Sequence, residues 1–420
     1  MHEIDRRHIA ALLTGHVGLI ETPEGVQPLR MPAGDAHLHD QFSQFAAGMS
    51  SGVRLRMITD SIHLRLSVAQ RQSYVTRPEE CPSVYDLWID GKPHRRLSPV
   101  GGAYFGMSLA IEGDPAATLE IEDLPAGDKS IELWLPPTAL VSIVSLEIDA
   151  GAHWKPWPDL QPSVVFHGSS ITHGVGLDTA TEAWPAIFAH DLQASLLNLG
   201  WAGSCLISGL ASRMVRDQAA SLIALELGIN VHADGLLKER TFLSSVHSFI
   251  AIVREGHPTT PIAIVSPIFC EAAEDTALGN GLSLSRMRSL LAEAVETRRG
   301  AGDGRIQLIS GLDLLGPADA ADLPDGLHPS RNGHAKIASR FRTKAASVGL
   351  LDHLPVPRPE RQDAPTLQWV TSEDHFERVR RRLVVLGATG LQGSGDVRAL
   401  VERRSLGAHR RFANPADIGR

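Results

Sequence analysis

From about Ser51 to Asp149, apolar and polar positions alternate in short runs. Val53-Arg54-Leu55-Arg56-Met57-Ile58 and Ser61-Ile62-His63-Leu64-Arg65-Leu66 both keep period two, the spacing that sends successive side chains to opposite faces of a strand. Tyr85-Asp86-Leu87-Trp88-Ile89 runs straight into Asp90-Gly91, a two-residue hairpin signal. Thr118-Leu119-Glu120-Ile121-Glu122 and Ile131-Glu132-Leu133-Trp134-Leu135 flank a Pro-Ala-Gly-Asp turn. Short strands at this spacing, with almost no helical stretch among them, predict an antiparallel β-sandwich over residues 1–150.

Residues 151–162, GAHWKPWPDLQP, carry three prolines and two tryptophans and read as a linker packed onto a neighbouring domain. From Ser163 the period changes. Apolar runs at Val164–Phe166, Leu196–Leu199, Leu222–Leu225, Ile262–Val265 and Ile306–Ile309 are separated by helical stripes. Phe242, Leu243, Val246, Phe249, Ile250 and Val253 form one stripe, which Gly256 and then Pro258 stop; Met287, Leu290, Leu291, Ala294 and Val295 form another. A closing helix follows Ser330, with Ile337, Ala338 and Phe341 inward. Strands buried on both faces with helices between them predict a doubly wound α/β/α domain over 163–350, built on a parallel sheet of about five strands.

Beyond this, residues 351–420 turn Pro- and Arg-rich and are expected to form a poorly ordered tail. Gly387, Gly390 and Gly393 follow a short apolar run there. A dinucleotide site needs further strands to make its crevice, so a lone glycine motif near the end of the chain does not support NAD(P) binding. No cofactor is expected.

Composition narrows the function classes. The 420 residues hold 40 Lys+Arg against 48 Asp+Glu, a net charge of −8, which argues against a chain-wide nucleic-acid footprint. Hydrophobic residues at 43% and charged residues at 21% are an ordinary globular balance. No run of about 18 apolar residues predicts a membrane span. The opening MHEIDRRHIAALLTGHVG lacks the layout of a secretory signal, and the expected compartment is the cytoplasm. Cys81, Cys205 and Cys270 are widely spaced and give neither a disulfide framework nor a metal knuckle.

Ligands gather where the strands of an open α/β sheet end. The predicted ends carry Gly168-Ser169-Ser170-Ile171-Thr172-His173-Gly174, then Asn198-Leu199-Gly200-Trp201-Ala202-Gly203, Gly228-Ile229-Asn230, and Asp325-Gly326-Leu327-His328-Pro329. Each group has a use in acyl transfer. A serine on a tight strand-to-helix turn presents its oxygen at the sheet edge but is a poor nucleophile without a base. Asp325 and His328 are three residues apart, close enough for the carboxylate to bond one ring nitrogen while the other faces Ser170. The amides of Ser170 and Gly203 and the side-chain amide of Asn230 are the candidate donors to an oxyanion.

These four blocks, in this order, resemble the SGNH (GDSL-like) hydrolases, whose name lists the four block residues. The resemblance spans about Ser163 to Gly349 and implies Ser170, Gly203, Asn230 and His328 as the block residues, with Asp325 completing the triad. Two positions depart from the family pattern: Gly168-Ser169-Ser170 stands where Gly-Asp-Ser is usual, and Val231 where an aspartate usually follows the asparagine. The GSSITHG form with a preceding sandwich looks like the subgroup typified by two-domain carbohydrate esterases and by an acyltransferase of tetracycline-class antibiotic biosynthesis. In that subgroup the sandwich is a jelly roll packed beside the catalytic domain.

Each sharp reading has a plainer rival. Ser170 alone could be a helix cap; Gly203 and Asn230 could be turn residues; Asp325 and His328 could cap the following helix. His167, His173, His232 and His334 are expected near the site, but no HExxH or close carboxylate–histidine set accompanies them, so no metal is expected. Asp35-Ala36-His37-Leu38-His39-Asp40 imitates a DxHxH metal motif without the β/α barrel it requires, and reads as a solvated loop. Trp184 reads as packing under the nucleophile turn and Cys205 as a small buried filler. The leading expectation is a serine ester hydrolase acting on a small-molecule ester, an acetylated carbohydrate among the candidates, with activity that rises with pH as the base loses its proton. An acyltransferase using the same triad and a non-catalytic glycan-binding module are the alternatives.

Overall fold

The computed structural model describes residues 1–74, 81–106, 109–157, 162–279, 281–352 and 354. Nearly all of the 351–420 tail, with the Gly387–Gly393 motif, lies outside the described residues.

Among the described residues the N-terminal domain closes two sheets, nine- and six-stranded, on one core. Leu64–Ser73 and Ala139–Ile148 pair antiparallel at the centre of the first sheet. Arg54–Thr59, Lys129–Trp134, Tyr85–Ile89 and Lys92–Leu97 run antiparallel in the second. Leu55, Met57, Ile131 and Leu133 of the second sheet meet Leu66, Val68, Val141 and Ile143 of the first, and all eight are buried. The hairpin turns at Asp90-Gly91 with φ of 50° and 71°, the left-handed pair that a tight hairpin turn requires. Among the described residues one pairing departs from the antiparallel rule: Ala103–Phe105 lies parallel to Leu64–Ser73.

Where the elements differ from period-two expectation, a local cause is visible. The expected strand at Ser61 starts instead at Leu64, because one oxygen of Asp149 accepts the amides of Ile62 and His63 at 2.8 and 3.0 Å. Ala139–Ile148 carries no clean alternation because its register slips between Ile143 and Ser145; such a bulge shifts the buried face by one residue. Inside the expected linker, Trp154–Pro156 adds to the second sheet beside Arg54–Thr59, and the Arg56 guanidinium lies 3.9 Å over the Trp157 ring. The first half of 151–162 thus belongs to the sandwich.

The second domain holds five parallel strands, β1 (Ser163–Gly168), β2 (Ser195–Gly200), β3 (Leu222–Glu226), β4 (Ile262–Val265) and β5 (Ile306–Ile309), in the order β2-β1-β3-β4-β5. Among the described residues eight α-helices flank them: α1 (Ser170–His173), α2 (Trp184–Asp191), α3 (Gly209–Arg216), α4 (Ile229–Ala233), α5 (Glu239–Gly256), α6 (Leu284–Gly300), α7 (Gly311–Leu314) and α8 (Arg331–Ser347). Alternate residues of β1 face opposite layers. Val165 packs with Phe242, Val246 and Phe249 of α5 and Met287 of α6, while Phe166 packs with Trp184 and Phe188 of α2 and Phe341 of α8. The strand order reverses between β1 and β3, and the crevice outside that switch point is where such sheets bind ligands.

The two domains share apolar cores. Leu29, Met31, Ala46 and Ala47 from the N-terminal domain belong to the cluster on the α5 side, and Trp134 to the cluster on the α8 side. No helix among the described residues is long and apolar enough to cross a membrane.

Candidate active site

The turn leaving β1 places Ser170 at the sheet edge. Ser169 caps α1, its Oγ accepting the Ile171 amide at 3.1 Å, so Ser170 opens the helix. Behind it sits Glu226, the last residue of β3 and buried. One Glu226 oxygen accepts the Ser169 amide and hydroxyl, both at 2.7 Å, and the Thr172 hydroxyl at 3.1 Å. Burial pushes the Glu226 carboxyl up to about 7 against those three donors. A Cβ at Gly168 would lie 2.4 Å from Thr172 Oγ1 and 2.6 Å from Glu226 Oε2, so only glycine lets the carboxylate close on this turn. The carboxylate absent from the Ser169 position is thereby brought to Ser169 from another strand.

The loop before α8 brings Asp325 and His328 to the same edge. His328 Nε2 lies 2.9 Å from Ser170 Oγ, and His328 Nδ1 lies 2.7 Å from Asp325 Oδ2. The other Asp325 oxygen accepts the amides of Leu327 and His328 at 2.9 and 2.7 Å. Partial burial would raise the Asp325 carboxyl, but the His328 side chain and these two amides outweigh it and hold the group below its ordinary value. The Asp325 bond fixes a proton on Nδ1, leaving Nε2 free to accept from the serine.

Two further loops face this edge. Gly203 follows β2 with φ +69°, a left-handed conformation that favours glycine, and a Cβ there would meet the Phe42 ring at 2.5 Å. Asn230 lies in the first turn of α4, where its Oδ1 accepts the Cys205 amide at 3.0 Å. That bond turns the Asn230 NH₂ away from Cys205. Among the described residues, no acceptor is bonded to the amide of Ser170 or Gly203 or to Asn230 Nδ2.

The remaining expected residues fall into structural roles. His167 Nδ1 is 2.8 Å from the Leu199 carbonyl, His232 Nδ1 is 2.8 Å from the Leu282 carbonyl, and His334 Nδ1 accepts the Trp184 amide. Burial draws His167 down to about 4 and His334 to about 3, so both stay neutral. Among the described residues no three His, Cys, Asp or Glu side chains gather as a metal site. Trp184 is buried edge-on to Phe166 and Phe341. Cys205 is buried, its thiol pushed well above the ordinary range by burial and by Glu226.

The Asp35–Asp40 segment is solvated at His37, Leu38 and Asp40 as expected, but it is an ordered turn rather than a loop. Ala33–Leu38 is a 3₁₀ turn and Asp40 caps the helix Gln41–Gly48, accepting the Ser43 amide at 3.0 Å. The His39 ring stands edge-on to Trp201 at 5.3 Å, and the exposed Phe42 covers Gly203. This N-terminal helix therefore walls the β2 loop. Phe42 and Arg30, which reaches the same loop, carry no sequence signal: one is an ordinary apolar residue and the other a lone cation. Glu226 had one, a charged residue closing an otherwise apolar strand. A cleft of about 440 Å³ also opens on the domain seam between Trp88, Arg95 and Arg96 and Glu182 and Arg331.

Comparison with known proteins matches residues 161–345 to the GDSL-like Lipase/Acylhydrolase family and residues 12–143 to the family described as SsfX3, N-terminal domain. No match was found among curated proteins. Among solved structures, a salicylyl-acyltransferase, SsfX3, from a tetracycline biosynthetic pathway is 28% identical with a TM-score of 0.73, covering 81% of this chain and 96% of that one. A family two carbohydrate esterase from Clostridium thermocellum in complex with cellohexaose is 17% identical with a TM-score of 0.54, covering 72% of this chain and 94% of that one.

Proposed function

Because the chain joins an SsfX3-type N-terminal domain to a domain of the GDSL-like lipase/acylhydrolase family, we propose that it is a serine acyl-transferring enzyme that forms an acyl-enzyme on Ser170. The observation that carries this reading is the continuous path Ser170 Oγ to His328 Nε2 at 2.9 Å and His328 Nδ1 to Asp325 at 2.7 Å. His328 takes the hydroxyl proton as Ser170 Oγ bonds to the ester carbonyl carbon. The negative charge on the carbonyl oxygen meets the amides of Ser170 and Gly203 and the Asn230 NH₂. Collapse of the tetrahedral species breaks the bond to the alcohol oxygen, which leaves with the proton from His328. An acceptor, water or an alcohol, then gives its proton to His328 as its oxygen bonds the acyl carbon; the bond from that carbon to Ser170 Oγ breaks and His328 returns the proton to Ser170 Oγ.

With water as acceptor the enzyme is an esterase for a small-molecule ester, and this is the primary reading. Transfer to a small-molecule alcohol is the second. It is favoured by the 28% identity to an acyltransferase across 96% of that chain, and the triad is indifferent to the choice. A non-catalytic module would need Ser170 and His328 apart, which their 2.9 Å approach does not support.

Ser170→Ala abolishes turnover of p-nitrophenyl acetate under this reading; unchanged turnover overturns it. Product analysis with and without added alcohols or sugars then separates the acceptors. Ester product formed at the expense of free acid marks transfer, and free acid alone marks hydrolysis.

A further inference from the structure

The guanidinium of Arg30 is fully buried, although Arg30 belongs to the N-terminal domain and lies far from the triad in sequence. Arginine has five N–H donors in a rigid fork, and each finds an acceptor. Nε donates to the Met49 carbonyl at 2.6 Å. One terminal nitrogen donates to the carbonyls of Asn198 and Gly200 at 3.1 and 2.5 Å. The other donates to the Ala46 carbonyl and to His173 Nδ1, the latter at 3.2 Å. Ala46 and Met49 end the helix Gln41–Gly48, so the cation sits on the negative end of a helix dipole. Asn198 and Gly200 close β2, three residues before Gly203.

His173 extends the same grip. It ends α1, the helix that Ser170 begins. Its Nδ1 also accepts the Ala202 amide at 3.4 Å, next to Gly203. With Nδ1 accepting, Nε2 carries the proton and donates to the Pro137 carbonyl at 2.9 Å. From the N-terminal domain, the Ser51 hydroxyl donates to the His173 carbonyl at 2.5 Å and accepts from Asn198 Nδ2 at 3.0 Å. Both the nucleophile helix and the β2 loop are thus tied through one cation to the helix that carries Phe42.

We infer that Arg30 is a positioning residue for acyl transfer: by bonding the carbonyls of Asn198 and Gly200 and the ring of His173, it sets the Gly203 amide relative to Ser170. The sandwich is therefore a working part of the active site. This rests on the reading of Ser170 as nucleophile and Gly203 as an oxyanion donor.

The test uses the full-length protein. Arg30→Lys keeps the charge and loses two of the five donors. Rates on p-nitrophenyl acetate are normalised to the sites that end-point fluorophosphonate labelling counts, so unfolded protein drops out. A misplaced donor acts on the transition state more than on bound substrate. The expected result is a kcat per site lowered at least about tenfold, with KM within about twofold of wild type. Wild-type kcat per site, or a change confined to KM, overturns the inference. Should Arg30→Lys yield no labelled sites, Ser51→Ala decides by the same measure: a lower kcat per site supports the inference and an unchanged one overturns it. Ser170→Ala run in parallel separates the two failures. If it retains turnover, the nucleophile reading is lost; if it is inactive while Arg30→Lys is normal, only the role of Arg30 is lost.

Discussion

The two sides of the candidate site are built differently. The proposed base side is local: Asp325 and His328 lie three residues apart, and the carboxylate also accepts the amides of Leu327 and His328. The proposed oxyanion side is assembled from a distance. Gly203 is covered by Phe42, and its strand is gripped by Arg30 and Ser51 of the other domain. A loop that orients its own acid and base needs little from its surroundings. A loop that must offer a bare amide to a passing oxyanion cannot spend that amide on holding itself in place, so its rigidity comes from neighbours bonded to its carbonyls. The difference explains why removing chemistry and disturbing geometry should have separable effects here.

The largest effect is expected on the base side. Ser170→Ala and His328→Ala should each lower kcat by about 10⁶, the size of loss seen when members of a hydrolase triad are removed, measured with p-nitrophenyl acetate. Asp325→Asn should cost about 10⁴ by the same assay, because the histidine loses the partner that fixes its tautomer. On the oxyanion side, Asn230→Ala should lower kcat by about 10²–10³ with KM little changed. A loss on the oxyanion side as large as on the base side would erase the distinction drawn here.

Smaller effects sharpen it. Phe42→Ala opens the wall against Gly203, and kcat/KM for bulky acyl esters relative to acetate should rise about tenfold, the low end of what one apolar contact in a pocket is worth; an unchanged ratio would place Phe42 outside the substrate's reach. The smallest effect concerns stability. The folded state holds the Glu226 proton up to about pH 7, above an ordinary glutamate's range near 4.3. Between those values the folded state binds more protons than the unfolded chain, so this group's contribution is fully present at low pH and is lost as pH rises through about 7. Thermal melts from pH 5 to 8 should therefore show a decline that Glu226→Gln flattens, with the wild type and variant converging at the acid end.

Much of the second domain was legible because its strands are apolar on both faces and its helices keep their spacing, as in Val164–Phe166 and Phe242–Val253. Ser170, Gly203, Asn230, Asp325 and His328 could be singled out because each stands where a strand or loop ends. The sandwich was legible where alternation was clean, at Arg54–Thr59 and Tyr85–Ile89, and illegible at Ala139–Ile148, where a bulge resets the phase. The support of the site was not legible at all. Arg30, Phe42 and Ser51 act through tertiary contacts with residues far along the chain, and no local pattern encodes a contact of that range.

The most direct measurement is intact-protein mass spectrometry after exposure to a fluorophosphonate, followed by peptide mapping. The account predicts a single adduct on Ser170, absent from Ser170→Ala and formed far more slowly in His328→Ala. An adduct of equal yield on Ser170→Ala, or one mapped to another residue of the wild type, would contradict it.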